Sequence, residues 1–114
     1  MPNSWVELIE QREAQLGADT VARMAKIFTA DSKTQLNTIS AALSRNEMAT
    51  ARSAAHDLVA NAGALCFIVL EAAARDCETA CSNKDHAKAT AFHKNLPGLV
   101  DICLVQLRHR YKLT

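Results

Sequence analysis

A chain of 114 residues that is 49% hydrophobic but only 4% aromatic, with 3 Gly and 2 Pro, can build one core. It has too little punctuation for a sandwich, a barrel or a loop-rich scaffold. Thirteen Lys and Arg against twelve Asp and Glu leave a net charge of +1, so no basic field draws it to nucleic acid. The longest apolar run, Ala62 to Leu70, is far short of the ~20 residues that span a bilayer. The first residues, Met1-Pro2-Asn3-Ser4-Trp5, lack the cationic start and apolar stretch of an export signal. The expectation is a single domain over residues 1–114, monomeric and cytoplasmic, with neither membrane nor nucleic acid as partner.

In chain order, Ser4-Trp5-Val6-Glu7 has the form of a capping box and opens a short helix that ends near Gly17. Asp19 is the expected cap of a second helix, from about Thr20 to Leu43. Val21, Met24, Phe28, Leu36, Ile39 and Leu43 recur along it at helical spacing. Arg45-Asn46 is the next polar break, with Asn46 as N-cap of a third helix that begins near Glu47. Propensity alone gives no stop between Glu47 and Cys81, a length out of proportion to so small a domain. A break at Cys66-Phe67-Ile68 is therefore expected, although no residue there is a turn former. Ser82-Asn83-Lys84-Asp85 is a turn, and Asp85 caps the last helix. Pro97 must kink or restart that helix, because it has no N–H for the carbonyl one turn earlier. Helices with short links and one apolar stripe each pack as an all-α, antiparallel four-helix bundle, here with a short extra N-terminal helix.

The four cysteines, Cys66, Cys77, Cys81 and Cys103, show neither a C-x-x-C pair nor zinc-module spacing. Cys77 and Cys81 would share a helix face and could in principle share a metal in a plain helical adaptor. The reading adopted is that these thiols are small core residues, and no metal site or cofactor is expected.

One histidine stands apart. On a wheel of 100° per residue, Met48, Ala51, Ala55, Leu58, Ala62 and Leu65 form the buried stripe of the third helix. His56 falls well away from it, on a face with Ala49, Arg52, Ser53, Val59, Ala60, Gly63 and Phe67. Gly63 costs about 0.5–1 kcal/mol in mid-helix relative to Ala. Beside an exposed imidazole, such small residues suggest that another molecule must come close. His86, His93 and His109 read as residues of solvated faces.

The segment Ala55-His56-Asp57-Leu58-Val59-Ala60-Asn61-Ala62-Gly63-Ala64-Leu65 resembles the signature of histidine-containing phosphotransfer (HPt) domains, of the form H-x-L-K-G-x-A-x-x-L. His56, Leu58, Ala62 and Leu65 fall on matching positions, and Gly63 is frequent in the family at its place. Leu16-Gly17, Phe28 and Leu96-Pro97 extend the likeness over nearly the whole chain. The family often has Glu or Gln about three turns beyond the break, where Glu78 stands. Two departures touch the signature's centre, where Val59 replaces the usual Lys and Ala60 the usual Gly. Cys66 replaces a further Gly at its end.

The resemblance implies a phosphocarrier of phosphorelay signalling. His56 would take and give a phosphoryl group, exchanging it with aspartates on the receiver domain of a response regulator or hybrid histidine kinase. Glu78 would hold Nδ1–H and leave Nε2 as nucleophile. Arg52, one turn earlier, would stand in part for the missing lysine, and Val59, Ala60 and Gly63 would meet the partner. No G-x-x-x-x-G-K-[ST] phosphate loop is present, so the chain is expected to carry the group stoichiometrically and not to phosphorylate itself from ATP. The alternative left open by Val59 is a non-phosphorylated HPt-like module that binds and modulates a receiver or a kinase.

Overall fold

The computed structural model describes residues 4–113; residues 1–3 and 114, the ends of the expected domain and the start of the stretch read for an export signal, lie outside them. Six helices follow one another: α1 (Trp5–Leu16), α2 (Ala18–Ser44), α3 (Met48–Ala64), α4 (Ile68–Ser82), α5 (His86–His93) and α6 (Leu96–Tyr111). No strand occurs among the described residues. The long helices α2, α3 and α4 occupy three corners of a four-helix bundle, and α5 and α6 share the fourth. Pro97 sits in the first turn of α6, where its missing N–H costs nothing, so the last helix restarts there as expected. None of the helices is long and apolar enough to cross a membrane.

The three inner connections are built alike. At Arg45-Asn46-Glu47, Leu65-Cys66-Phe67 and Asn83-Lys84-Asp85 the middle residue is left-handed, with φ of 55°, 64° and 57°. In each, two backbone N–H groups turn back onto the preceding helix. Glu47, Phe67 and Asp85 donate to the carbonyls of Ala42, Ala62 and Ala80, and Asn46, Cys66 and Lys84 donate to those of Leu43, Gly63 and Cys81. This is the Schellman closure, which normally places Gly at the left-handed position. Here only Asn46 is a residue that tolerates it readily. The break expected at Cys66-Phe67-Ile68 is therefore real, but its chemistry is carried by backbone.

Two expected caps are corrected. Asp19 lies inside α2, whose N-cap is Gly17 at φ 93°; Leu16 ends α1 and the chain turns within one residue. Asn46 serves the end of α2 as the left-handed residue, and Glu47 is the N-cap of α3, without a side-chain bond. Ser4 does accept from the N–H of Glu7, and Asp85 from that of Lys88.

The core is aliphatic and small. Val21, Ala25, Phe28 and Ile39 of α2, Ala51, Ala55, Leu58 and Ala62 of α3, and Leu70, Ala74 and Cys77 of α4 are almost wholly enclosed, with Leu96, Val100 and Leu107 of α6. Phe67, expected on the face of His56, instead leaves α3 at the break and is buried. Its ring stacks on Trp5 at 5.2 Å and tilts against Phe28 at 5.6 Å. The Trp5 indole N–H donates to the Leu65 carbonyl at 2.8 Å, satisfying one of the groups that the end of α3 leaves unpaired. At the other end of α1, Glu13 accepts two bonds from the Arg110 guanidinium and one from the Tyr111 hydroxyl.

His86 stands on an exposed face, as expected, whereas His93 is half-buried, and both reach the backbone of α2. Each donates from Nε2 to a backbone carbonyl of α2, at Leu43 and Leu36, at 2.6 and 3.0 Å. Their spacing of seven matches the spacing of the two acceptors, so both bonds form only if α5 runs antiparallel to α2. His109 is exposed.

Two outcomes test this account. Lys84 is exposed and left-handed, a conformation that costs an L-residue roughly 1–2 kcal/mol. Lys84→Gly should raise unfolding stability by about 0.5–1 kcal/mol, read by urea titration at unchanged helix content. The Arg110 hydrogen bond holds the Glu13 carboxyl below its usual range despite the opposing cost of burial. Its contribution is then fully present above the unfolded value near 4.5 and is lost as pH falls through the lower folded value. Glu13→Gln should cost about 1 kcal/mol at neutral pH and flatten the acid limb of the stability profile.

Candidate functional site

His56 lies near the middle of α3 with its side chain 66% exposed. The stripe expected to be buried is buried, apart from Met48, which is partly so at the helix start. That leaves the imidazole on the outer edge of the α3–α4 seam. Across the seam, Glu78 of α4 places Oε2 2.8 Å from His56 Nδ1, with its own side chain only 15% exposed. A carboxylate only accepts, so Nδ1 is the donor. In the neutral ring the lone pair is then on Nε2, on the open side.

The seam reads as a hairpin about Phe67. His56 lies eleven residues before it and Glu78 eleven after. Gly63 lies four before and Glu71 four after; a Cβ on Gly63 would stand 2.7 Å from Glu71 Oε2. Gly63 thus has a local reason to be glycine, since it makes room for a carboxylate of the same chain. Arg75 Nη2 donates to Glu71 Oε2 at 3.3 Å, so Glu71, Arg75 and Glu78 form a polar stripe along α4 beside the histidine.

The other candidates divide. Ala60 is exposed and Gly63 half-buried on the outer side of the seam, next to the histidine. Arg52 is exposed one turn before His56, and no ion pair or side-chain hydrogen bond holds it among the described residues. Val59 is corrected: its side chain is 5% exposed and packs into the core, so it offers nothing for a partner to touch. It lies about 40° from Ala55 and about 20° from Met48 on the wheel, within the arc that the neighbouring helices cover. Sequence reasoning singled out neither Glu71 nor Arg75. The signal for both was their spacing of four and three along α4, which becomes readable only with the hairpin register.

Among the described residues no group of three or more His, Cys, Asp or Glu could hold a metal. Burial pushes the Cys77 thiol up to about 12, and Cys81 rises for the same chief reason.

The profile of the Hpt domain matches residues 23–110, most of the chain. The chain belongs to the Hpt domain family. Comparison with curated proteins and with solved structures gave no match. Hpt domains are helical bundles that serve phosphotransfer in two-component phosphorelays, in contact with receiver domains or kinases. In this Hpt domain the matched span begins inside α2 and ends within α6, so it includes the whole α3–α4 seam and leaves out α1.

The tautomer is the checkable consequence of the Glu78 contact. Imidazole 15N shifts at a pH where His56 is neutral should show protonated Nδ1 and bare Nε2 in the wild type. Glu78→Ala should shift the population toward Nε2–H with the fold unchanged. A wild-type spectrum dominated by Nε2–H would contradict the assignment.

Proposed function

We propose that this Hpt domain is a working phosphocarrier with His56 as acceptor. The observation that carries the reading is an exposed imidazole whose Nδ1–H is held by Glu78. In the forward step the Nε2 lone pair forms the N–P bond, the P–O bond to a receiver aspartate breaks, and the aspartate leaves as carboxylate. No proton moves, because Nδ1 keeps its hydrogen. The ring gains positive charge as the N–P bond forms, and the Glu78 carboxylate lies against the nitrogen that shares it. Return of the group to a second aspartate reverses the same steps. Transfer through a loose transition state asks mainly for position and charge, which a rigid helix pair supplies.

The partner is a receiver domain, docking over the exposed imidazole and the small residues beside it, Ala60 and the outer side of Gly63. The chain supplies the histidine, and the aspartate and its metal ion belong to the receiver. The protein acts in the cytoplasm, as a monomer. Arg52 is close enough along α3 to contribute one exposed cation, worth at most about 1 kcal/mol.

Phosphoramidate, a small donor that releases ammonia, tests the acceptor without choosing a receiver. Intact mass should show one added phosphoryl group, labile in acid, and His56→Gln should abolish it. Glu78→Ala should slow the reaction about fivefold, the worth of one hydrogen bond near 1 kcal/mol. An unmodified wild-type protein that still binds a receiver would replace this reading with that of a docking module.

A further inference from the structure

The hairpin register places Arg75 eight residues after Phe67, level with Val59 eight residues before it. On α4, Glu71, Arg75 and Glu78 span about 60° of the wheel, so Arg75 lies on the same edge as the carboxylate that holds His56. Its side chain is 58% exposed, and among the described residues its one side-chain hydrogen bond is the 3.3 Å bond to Glu71 over Gly63. The helical rise sets Arg75 only ~4.5 Å along the axis from the level of Glu78 and His56, within the span of an arginine side chain. We propose that Arg75 is the phosphoryl-neutralising cation of this domain, parked on Glu71 in the unphosphorylated state and transferred to the phosphoryl group on His56 Nε2.

This deepens the phosphocarrier reading and rests on it. The phosphoryl group brings about −1.5 to −2 charges and three acceptor oxygens onto the seam. Val59, buried and apolar, contributes nothing there. Glu71 offers Arg75 one negative charge at a half-exposed surface, a weak hold. A phosphoryl group offers nearly twice the charge and a two-pronged geometry that a planar guanidinium matches. Exchange needs only new side-chain rotamers, since both helices are fixed by the turn between them. Glu71, released, remains beside Gly63. Arg52 stands on the far side of His56 along α3 and lacks a parked position, so the two arginines are separable by substitution.

Wild type, Arg75→Gln, Arg75→Lys and Glu71→Gln are each phosphorylated in two ways, with phosphoramidate and by equilibration with a purified receiver domain phosphorylated on its aspartate. Phospho-His56 is read by intact mass and helix content by circular dichroism. Arg75→Gln should lower the phosphorylated fraction ~3–10-fold with both donors, as expected for losing a charge-assisted pair. Arg75→Lys should recover part of it, and Glu71→Gln, which frees the arginine, should raise it. If Arg75→Gln matches wild type with phosphoramidate, the proposal is overturned. A loss seen only with the receiver would also overturn it, by assigning Arg75 to docking. Failure of the wild type to take up phosphoryl from either donor would bring down the phosphocarrier reading itself, a result separate from any difference among the variants.

Discussion

The turn at Leu65-Cys66-Phe67 governs the functional edge of the molecule. Its two backbone hydrogen bonds, to the carbonyls of Ala62 and Gly63, fix where α3 stops and at what phase α4 begins. Once that phase is set, residues equally far from Phe67 face one another, and the pairs His56–Glu78 and Gly63–Glu71 follow. A one-residue change in the loop would rotate α4 by about 100° and take Glu78 away from the imidazole. The tautomer of His56 is therefore a long-range consequence of a three-residue connection.

Packing explains why the histidine can be both exposed and held. Ala51, Ala55 and Ala62 on α3 and Ala74 on α4 keep the contacting side chains short, which lets neighbouring helices approach. At close range a glutamate on the edge of α4 reaches a ring on the edge of α3. The same closeness encloses Val59, at 5% exposure, which a wheel of α3 alone places at the border between the buried stripe and the face of His56. A lysine there would have to run its stem through apolar surroundings to reach water, whereas valine simply adds to the core. The charge that the family signature provides at this position must therefore come from another part of the surface. Arg52 and Arg75 are the cations nearest in register.

Much of the bundle was legible in the sequence because long amphipathic helices announce themselves. The stripes of α2 and α3, the restart at Pro97 and the cap at Asp85 all follow from local chemistry that the tertiary structure leaves intact. The turns were harder. Cys66 and Lys84 adopt left-handed backbone without glycine, so propensity gave no stop at the first; only the implausible length of an unbroken helix pointed to it. Asp19 resembled a cap, but Gly17 alone could take φ 93° and end one helix while starting the next. The hydrogen bonds of His86 and His93 were not legible, because their partners are backbone carbonyls of α2, which carry no sequence signal. At the site, His56 and Glu78 could be picked out by resemblance. Glu71 and Arg75 could not, since their meaning depends on a register that the turn alone sets.

The cost of a left-handed Cys66, roughly 1–2 kcal/mol for an L-residue, must be met within the same corner of the fold. The contacts that meet it come from α1. Trp5 donates to the Leu65 carbonyl and stacks on Phe67, and the Cys66 thiol points to the Leu8 carbonyl at 3.7 Å. All three residues of the turn are thus engaged by one short helix. That helix is in turn anchored at its far end by Glu13 on Arg110 and Tyr111. With only Ile9 fully buried, α1 adds little to the core. Its value lies in stabilising a turn that lacks its glycine, and through that turn the register that sets Glu78 against His56. An element outside the matched span of the family, and without a residue at the site, thereby supports the geometry on which the site depends.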